Sequence, residues 1–538
     1  MKKLILIGFL LSPLFVEAQS TSEIAIAMED GIILKADLYS PNDLVKAPVI
    51  LVRTPYQKEG MKPIAEYFAS EGYYVLVQDV RGKYSSEGRF VPFLREREDG
   101  EATLTWLTQQ PWNNGSIGLW GSSYLGYSAL TLSASENTQL KSIFHMSGWL
   151  DGTEVNTQGG AFHQSLVIPW LIFEGQRLQN NMKKMDLEKL LAHAPTSEAL
   201  PNMFFTLENG DSIHLSELNI SHQEFPFQNS KVPVYHYTGW YDFVLPGVLS
   251  VYDELLKQSA GDQYLTIGPW YHNQAYGSDI SVGEYKLQEN AQTSLDALLD
   301  ESLAWFNHTL KGRSFNSPQV EYYVLFKDEW KSTSTWPPPV SVPKTMYFSD
   351  KGLTQQAKNT TASRSFIYNP ESPVPTWGGG NFHFFMDIMG IREQSQVESR
   401  TDVLTFTSPA YKKPKTYAGP VSLELYYKTE GKATDFTAKL TLVDELGQSW
   451  NVSEGIIRIP KTGDTINQAS IKLNDVAFEV KKGWKLRIQI SSSNFPKFNR
   501  NPNTGIDPMD ATTFISVKQT IYHGKKYPTH ITLNEVPQ

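Results

Sequence analysis

The chain has 538 residues, a formal charge of −9 and no cysteine. That length implies two or three domains, and the acidic balance gives no support for binding nucleic acid or an anionic membrane. The lack of cysteine excludes disulfides, thiolate metal sites and a cysteine nucleophile.

Lys2 and Lys3 precede an apolar run from Leu4 to Val16, which Glu17-Ala18-Gln19 follows. Val16 and Ala18 suit the small-residue positions of a signal-peptidase site. Residues 1–18 are therefore expected to be a signal peptide, and the mature chain to be exported, periplasmic or secreted. The run is too short for a membrane span, and without cysteine no lipid anchor is expected. Residues 24–38 then alternate apolar and polar around Glu29-Asp30-Gly31, which predicts an antiparallel hairpin. Val49-Ile50-Leu51-Val52 and Tyr74-Val75-Leu76-Val77 are continuous apolar runs, as strands buried on both faces should be. Helical patterns lie between them (Ile64, Tyr67, Phe68) and after them (Glu96 to Leu107). The order strand, helix, strand, helix, strand predicts a parallel sheet with right-handed crossovers.

The next stretch, Ile117-Gly118-Leu119-Trp120-Gly121-Ser122-Ser123-Tyr124-Leu125-Gly126, reads as strand, tight turn and helix. A serine at such a turn is lifted out of the backbone beside a helix N-terminus, as in the nucleophile elbow of an α/β-hydrolase. The usual form is G-x-S-x-G. Here Gly121 stands two before Ser123, but Gly126 stands three after it. Ser122 is the competing candidate, though no glycine lies two positions before it.

From Trp149 to about Lys231 helical, aromatic and polar segments replace the strand–helix alternation, as a cap over the carboxyl ends of the strands would. Two sheet strands then return, over 232–237 and 263–267, and an amphipathic helix is predicted from Ser294 to Leu310. Past Gly312 comes Trp336-Pro337-Pro338-Pro339, then Ser- and Thr-rich alternating strands. These predict a β-sandwich, a jelly roll. The expected organisation is a signal peptide over 1–18, an α/β-hydrolase domain over 19–148 and 232–315, a helical cap over 149–231, and an all-β sandwich over 316–538.

A serine hydroxyl needs a base to take its proton, normally a histidine oriented by a carboxylate. The chain order in an α/β-hydrolase is Ser, Asp/Glu, His. Asp242 follows the strand that begins at Val232, and His272 follows the next one. Both strand ends lie at the sheet edge that carries the elbow, so Ser123, Asp242 and His272 are expected to converge as nucleophile, orienting carboxylate and base. His236 within a strand and His308 within a helix are the rival bases, and both positions suit structural residues better.

These residues sit in motifs that resemble the cocaine-esterase-like and X-Pro dipeptidyl-peptidase serine hydrolases, which include α-amino-acid ester hydrolases and glutaryl acylases. The shared motifs are Arg53-Thr54-Pro55-Tyr56, Gln78-Asp79-Val80-Arg81-Gly82, Gln110-Pro111-Trp112-Asn113, the G-x-S-Y-x-G elbow, Gly239-Trp240-Tyr241-Asp242, Gly268-Pro269-Trp270-Tyr271-His272 and Trp305-Phe306-Asn307-His308. In the sandwich they include Gly378-Gly379-Gly380-Asn381 and Asn494-Phe495-Pro496. The resemblance explains the displaced Gly126, since G-x-S-Y-x-G is the family's form. It implies an oxyanion hole made by the Tyr56 hydroxyl and the Tyr124 backbone N–H, no metal or organic cofactor, and a sandwich that helps wall the pocket. Asp79 and Arg81 are expected to buttress loops as a pair.

Phe243-Val244-Leu245 after Asp242 holds none of the carboxylates with which α-amino-acid ester hydrolases bind a substrate ammonium. An esterase or acylase acting on a small ester, amide or short peptide is therefore the first expectation. Trp149, Trp170, Phe173 and Trp240 are candidates for an apolar pocket. X-Pro dipeptidyl-peptidase activity is the alternative, with Asp151, Glu154 or Glu174 available to hold a peptide N-terminus. A non-catalytic carbohydrate- or surface-binding protein is the alternative from another class. Oligomeric state is left open, a homo-oligomer included.

Overall fold

The computed structural model describes residues 21–43, 45–174, 186–199, 204–206, 212–214, 225–258, 261–272, 274, 281–382 and 388–537. The expected signal peptide lies outside them, as does much of the expected cap between 175 and 224.

Alternating side chains pair β1 (Thr21–Ala27) with β2 (Ile33–Tyr39) in the expected antiparallel hairpin. β3 (Ala47–Thr54), α1 (Lys62–Ser70), β4 (Tyr74–Asp79), α2 (Glu96–Thr108), β5 (Asn113–Ser122), α3 (Tyr124–Leu130) and β6 (Leu140–Met146) follow. An insertion contributes α4 (Thr153–Asn156), α5 (Gln164–Glu174) and α6 (Leu187–Ala192). The sheet then resumes with β7 (Val234–Tyr241), α7 (Leu245–Lys257), β8 (Gln263–Tyr271), α8 (Leu295–Lys311), β9 (Val320–Val324) and β10 (Glu329–Thr333). These strands make one ten-stranded sheet, ordered β1-β2-β4-β3-β5-β6-β7-β8-β9-β10. Strands β4 through β9 run parallel, and the pairings at both edges are antiparallel.

Strand β3 is buried at every position, which is why Val49-Ile50-Leu51-Val52 within it is a continuous apolar run. Val49 and Leu51 face one layer with Leu104, Leu107 and Leu130. Ile50 and Val52 face the other, with Phe68, Trp305 and Phe306. Covering both faces with helices is the condition under which a parallel sheet is stable. Helix α8 is set by its ends. Ser294 Oγ accepts from Ala297 N at 3.1 Å, and Gly312 leaves the helix at φ 67°, the left-handed conformation that glycine adopts without strain.

The C-terminal half is a sandwich of seven- and four-stranded sheets, their pairings antiparallel. Its inner strand Thr434–Val443 is buried throughout. The boundary differs from the expected residue 315: β9 and β10 lie beyond it yet extend the first sheet, β9 pairing in parallel with β8. Pairing, not burial, joins them to that sheet: Val320, Tyr322 and Val324 of β9 pack in an apolar cluster that also holds sandwich residues. Trp336, at the entry to the sandwich, is buried. Its ring packs on Trp240 at 5.1 Å and Tyr322 at 5.2 Å, and its Nε1–H donates to Asp475 at 2.9 Å. One apolar cluster runs from Trp240 and Tyr323 into Leu423, Leu440 and Phe478, so the two halves share a core.

Candidate active site

The carboxyl ends of β5, β7 and β8 meet at one edge of the sheet. Ser123, between β5 and α3, sits at φ 56° and ψ −122°. A non-glycine residue held in that region is strained and must be over-determined by its surroundings. Gly121 shows how tight the turn is, since a Cβ there would lie 2.2 Å from Leu125 O. Gly126 serves a different contact. It lets α3 rest on the turn after β6, where its Cβ position is 3.0 Å from Gly148 Cα.

His272 stands between the other two residues. Its Nε2 lies 3.1 Å from Ser123 Oγ, and its Nδ1 lies 2.9 Å from Asp242 Oδ1. Asp242 is 2% exposed and His272 4%, so water competes little for either contact. The Asp242 carboxylate also accepts from Val244 N at 3.0 Å and from the hydroxyl of Ser147. Ser147 follows β6 at φ 57°. Its place beside the carboxylate was missed in the sequence, although Met146-Ser147-Gly148 at the end of a parallel strand marked the same sheet edge. Phe243 lies against the His272 ring at 4.5 Å, and Phe382 from the sandwich meets it edge-on at 5.6 Å.

Tyr56 follows β3 and faces the elbow. Its hydroxyl oxygen accepts from Trp170 Nε1 at 3.2 Å, which directs the phenol's own hydrogen elsewhere. Tyr124 is the first residue of α3, so its backbone N–H has no acceptor within the helix. Its side chain is buried. The hydroxyl donates to Glu96 at 2.8 Å and accepts from Phe93 N at 2.9 Å. Burial pushes this phenol well above its usual range, and burial likewise raises Glu96. Arg53 sits 3.2 Å from that carboxylate.

The other candidates separate clearly. Ser122 Oγ is buried with no partner among the described residues. His236 lies inside β7 and is wholly buried, its Nδ1 2.7 Å from His145 Nε2 and its Nε2 3.0 Å from Gln263 Oε1. Gly148 N donates to His145 Nδ1 at 3.0 Å, which fixes a neutral tautomer for each ring. Burial lowers both histidines, His236 to about 4. His308 is on α8, bonded to Arg313 O. Asp79 and Arg81 were expected to pair. Instead Asp79 accepts from Lys58 N at 2.8 Å and Ser85 Oγ at 2.9 Å, while Arg81 bonds to Asp99 at 2.6 Å and Asp30 at 2.7 Å.

Beside Ser123 a pocket is walled by Tyr56, Phe93, Trp149, Leu166, Trp170 and Phe243, among others. Trp149 and Trp170 line it. Trp240 does not: it is 2% exposed and its Nε1 donates to Tyr323 O at 2.7 Å in the shared core. Phe173, half-buried near the end of α5, is also outside the lining. Of the carboxylates considered for a peptide N-terminus, Glu174 is buried against Lys83 at 3.1 Å. Asp151 is exposed and outside the lining, and the Glu154 side chain lies outside the described residues.

The family model of the X-Pro dipeptidyl-peptidase (S15 family) matches residues 30–274. That of the X-Pro dipeptidyl-peptidase C-terminal non-catalytic domain matches residues 314–532. A cocaine esterase from Rhodococcus is 28% identical, over 95% of this chain and 98% of its own. A putative serine esterase of Mycobacterium bovis is 23% identical over 80% of each chain. Among solved structures, an α-amino acid ester hydrolase superposes with a TM-score of 0.83 at 22% identity, covering 97% of this chain and all of its own. An aminopeptidase from a marine-sediment Thaumarchaeota archaeon gives 0.84 at 21%, covering 96% and 97%.

Proposed function

Because the chain belongs to the X-Pro dipeptidyl-peptidase (S15) family of serine hydrolases, we propose that it cleaves an ester or amide through an acyl-enzyme on Ser123, with esters of an apolar acyl group as its substrates. One observation carries the reading: His272 Nε2 stands 3.1 Å from Ser123 Oγ while its Nδ1 faces Asp242. In that tautomer Nδ1–H donates to the carboxylate and Nε2 is left to accept the serine proton. Attack on the carbonyl moves negative charge to its oxygen, which the Tyr56 O–H and the Tyr124 N–H stabilise. His272 then gives its proton to the leaving group. A water activated by the same nitrogen releases the acyl group.

The pocket supports an ester of apolar acyl character. Its wall holds two indoles and several apolar side chains, and the cocaine esterase relative matches over 95% of this chain. The family's name favours a second reading, release of Xaa-Pro dipeptides. That chemistry needs a carboxylate facing the substrate ammonium, and among the described residues none lines this pocket. A purely carbohydrate-binding role would leave the Ser123–His272–Asp242 line without a purpose. Export is part of the proposal, on the Lys2-Lys3, apolar run and Val16-x-Ala18 pattern; N-terminal sequencing of protein secreted by its host should begin at Gln19, and an intact Met1 start would reject it.

A panel of 4-nitrophenyl esters together with Ala-Pro and Gly-Pro anilides tests the reaction, with Ser123→Ala as control. Rapid hydrolysis of the aromatic esters, lost in Ser123→Ala, is the expected result. Faster cleavage of the anilides would select the dipeptidyl-peptidase reading instead.

A further inference from the structure

The pocket wall beside Ser123 is apolar at Val155, Leu166, Val167, Leu171 and Phe243. Most polar atoms around it are engaged. Ser123 Oγ faces His272, the Tyr56 oxygen accepts from Trp170, and the Tyr124 hydroxyl is held by Glu96 and Phe93. Two polar groups are not. The Asn156 carboxamide and the Trp149 indole N–H make no hydrogen bond with the described residues, although both residues line the pocket.

The backbone of Asn156 is fully committed. Its N–H donates to Gly152 O at 2.7 Å, and its C=O accepts from His163 N at 2.8 Å. The residue is therefore held in place at the end of α4 with only its side chain open to a ligand. A primary amide offers both donors and an acceptor, and an indole adds a donor. No carboxylate, ammonium or guanidinium among the described residues lines this cavity. A charged acyl group would lose its hydration there with no counter-charge. A wholly apolar one would desolvate the carboxamide and leave it unpaired, at a cost to binding.

We infer that Asn156 is a specificity-determining residue, which selects acyl groups that carry a neutral hydroxyl on an otherwise apolar body. The inference rests on the esterase reading above and deepens it by naming the substrate class.

The test compares kcat/KM for the 4-nitrophenyl esters of 3-hydroxybenzoic and 3-methylbenzoic acid, which match in size, in the wild type and in Asn156→Leu. The hydroxy-to-methyl ratio should fall about three- to tenfold in the variant, the range of one neutral hydrogen bond. Reading a ratio cancels any effect that the substitution has on both esters alike. A second measurement needs no variant. 3-Hydroxyphenylboronic acid should inhibit the wild type about three- to tenfold more tightly than 3-methylphenylboronic acid. An unchanged ester ratio, or equal inhibition by the two boronic acids, overturns the inference while leaving the esterase reading intact. No turnover of either ester by the wild type, with cleavage of Ala-Pro anilide, overturns both.

Discussion

His236 gives the protein a measurable acid sensitivity. It is 0% exposed, and burial holds its folded-state pKa at about 4, below the ordinary histidine value of 6.5. The unfolded chain takes up this proton as pH falls below 6.5, while the folded chain refuses it until about pH 4. Stability is therefore complete above the unfolded value and is lost as pH falls toward the folded one. Each unit of separation is worth about 1.4 kcal/mol, so His236 alone removes about 2 kcal/mol between pH 7 and pH 5. Against a typical total of about 5–15 kcal/mol that is a large share. His236→Gln isolates it. The amide oxygen can accept from His145 Nε2–H and the amide nitrogen can donate to Gln263, so both bonds of the pair keep a partner. Urea unfolding at pH 7 and pH 5 should show the variant losing about 2 kcal/mol less than the wild type over that interval. Equal losses in the two proteins would refute the reasoning. His145 and His163 are held neutral by burial too, His163 at about 3, so a residual pH dependence should persist in the variant.

Three further outcomes are expected. Tyr56→Phe removes a donor from the developing oxyanion and should lower kcat about 10²–10³-fold with little change in KM, measured on 4-nitrophenyl benzoate. Ser147→Ala takes a hydrogen bond from the buried Asp242 carboxylate and should cost at least about tenfold in kcat, with circular dichroism unchanged. Gly121→Ala places a methyl group 2.2 Å from Leu125 O, a contact that the elbow cannot absorb; soluble yield and activity should both collapse.

The parts of the fold that were legible in the sequence are those in which one short stretch carries its own reason. The runs at Val49 and Val75 declare strands covered on both faces, and Ser294 and Gly312 declare the ends of α8. Asp242 and His272 were legible because each follows a strand whose direction the strand–helix alternation fixes. The misplaced features depend on distant partners. Trp240, read as a pocket residue, lies near the carboxyl end of β7; only the sandwich side, through Trp336, makes its position core. Glu174 was read as available, but its partner Lys83 is 91 residues away. The strands β9 and β10 carry ordinary alternation, and nothing local says which sheet they join. Asn156 and Ser147 are common polar residues in loops or short helices, and their surroundings give them meaning.

Trapping the acyl-enzyme on Ser123 is the most direct test of the proposed reaction. The purified protein is mixed with 4-nitrophenyl benzoate, quenched in acid within the first turnovers, digested and mapped by mass spectrometry. One benzoyl group is expected on the peptide that contains Ser123, absent from Ser123→Ala, which should also be inactive. A benzoyl group on another residue, or full activity retained in Ser123→Ala, would contradict that reaction.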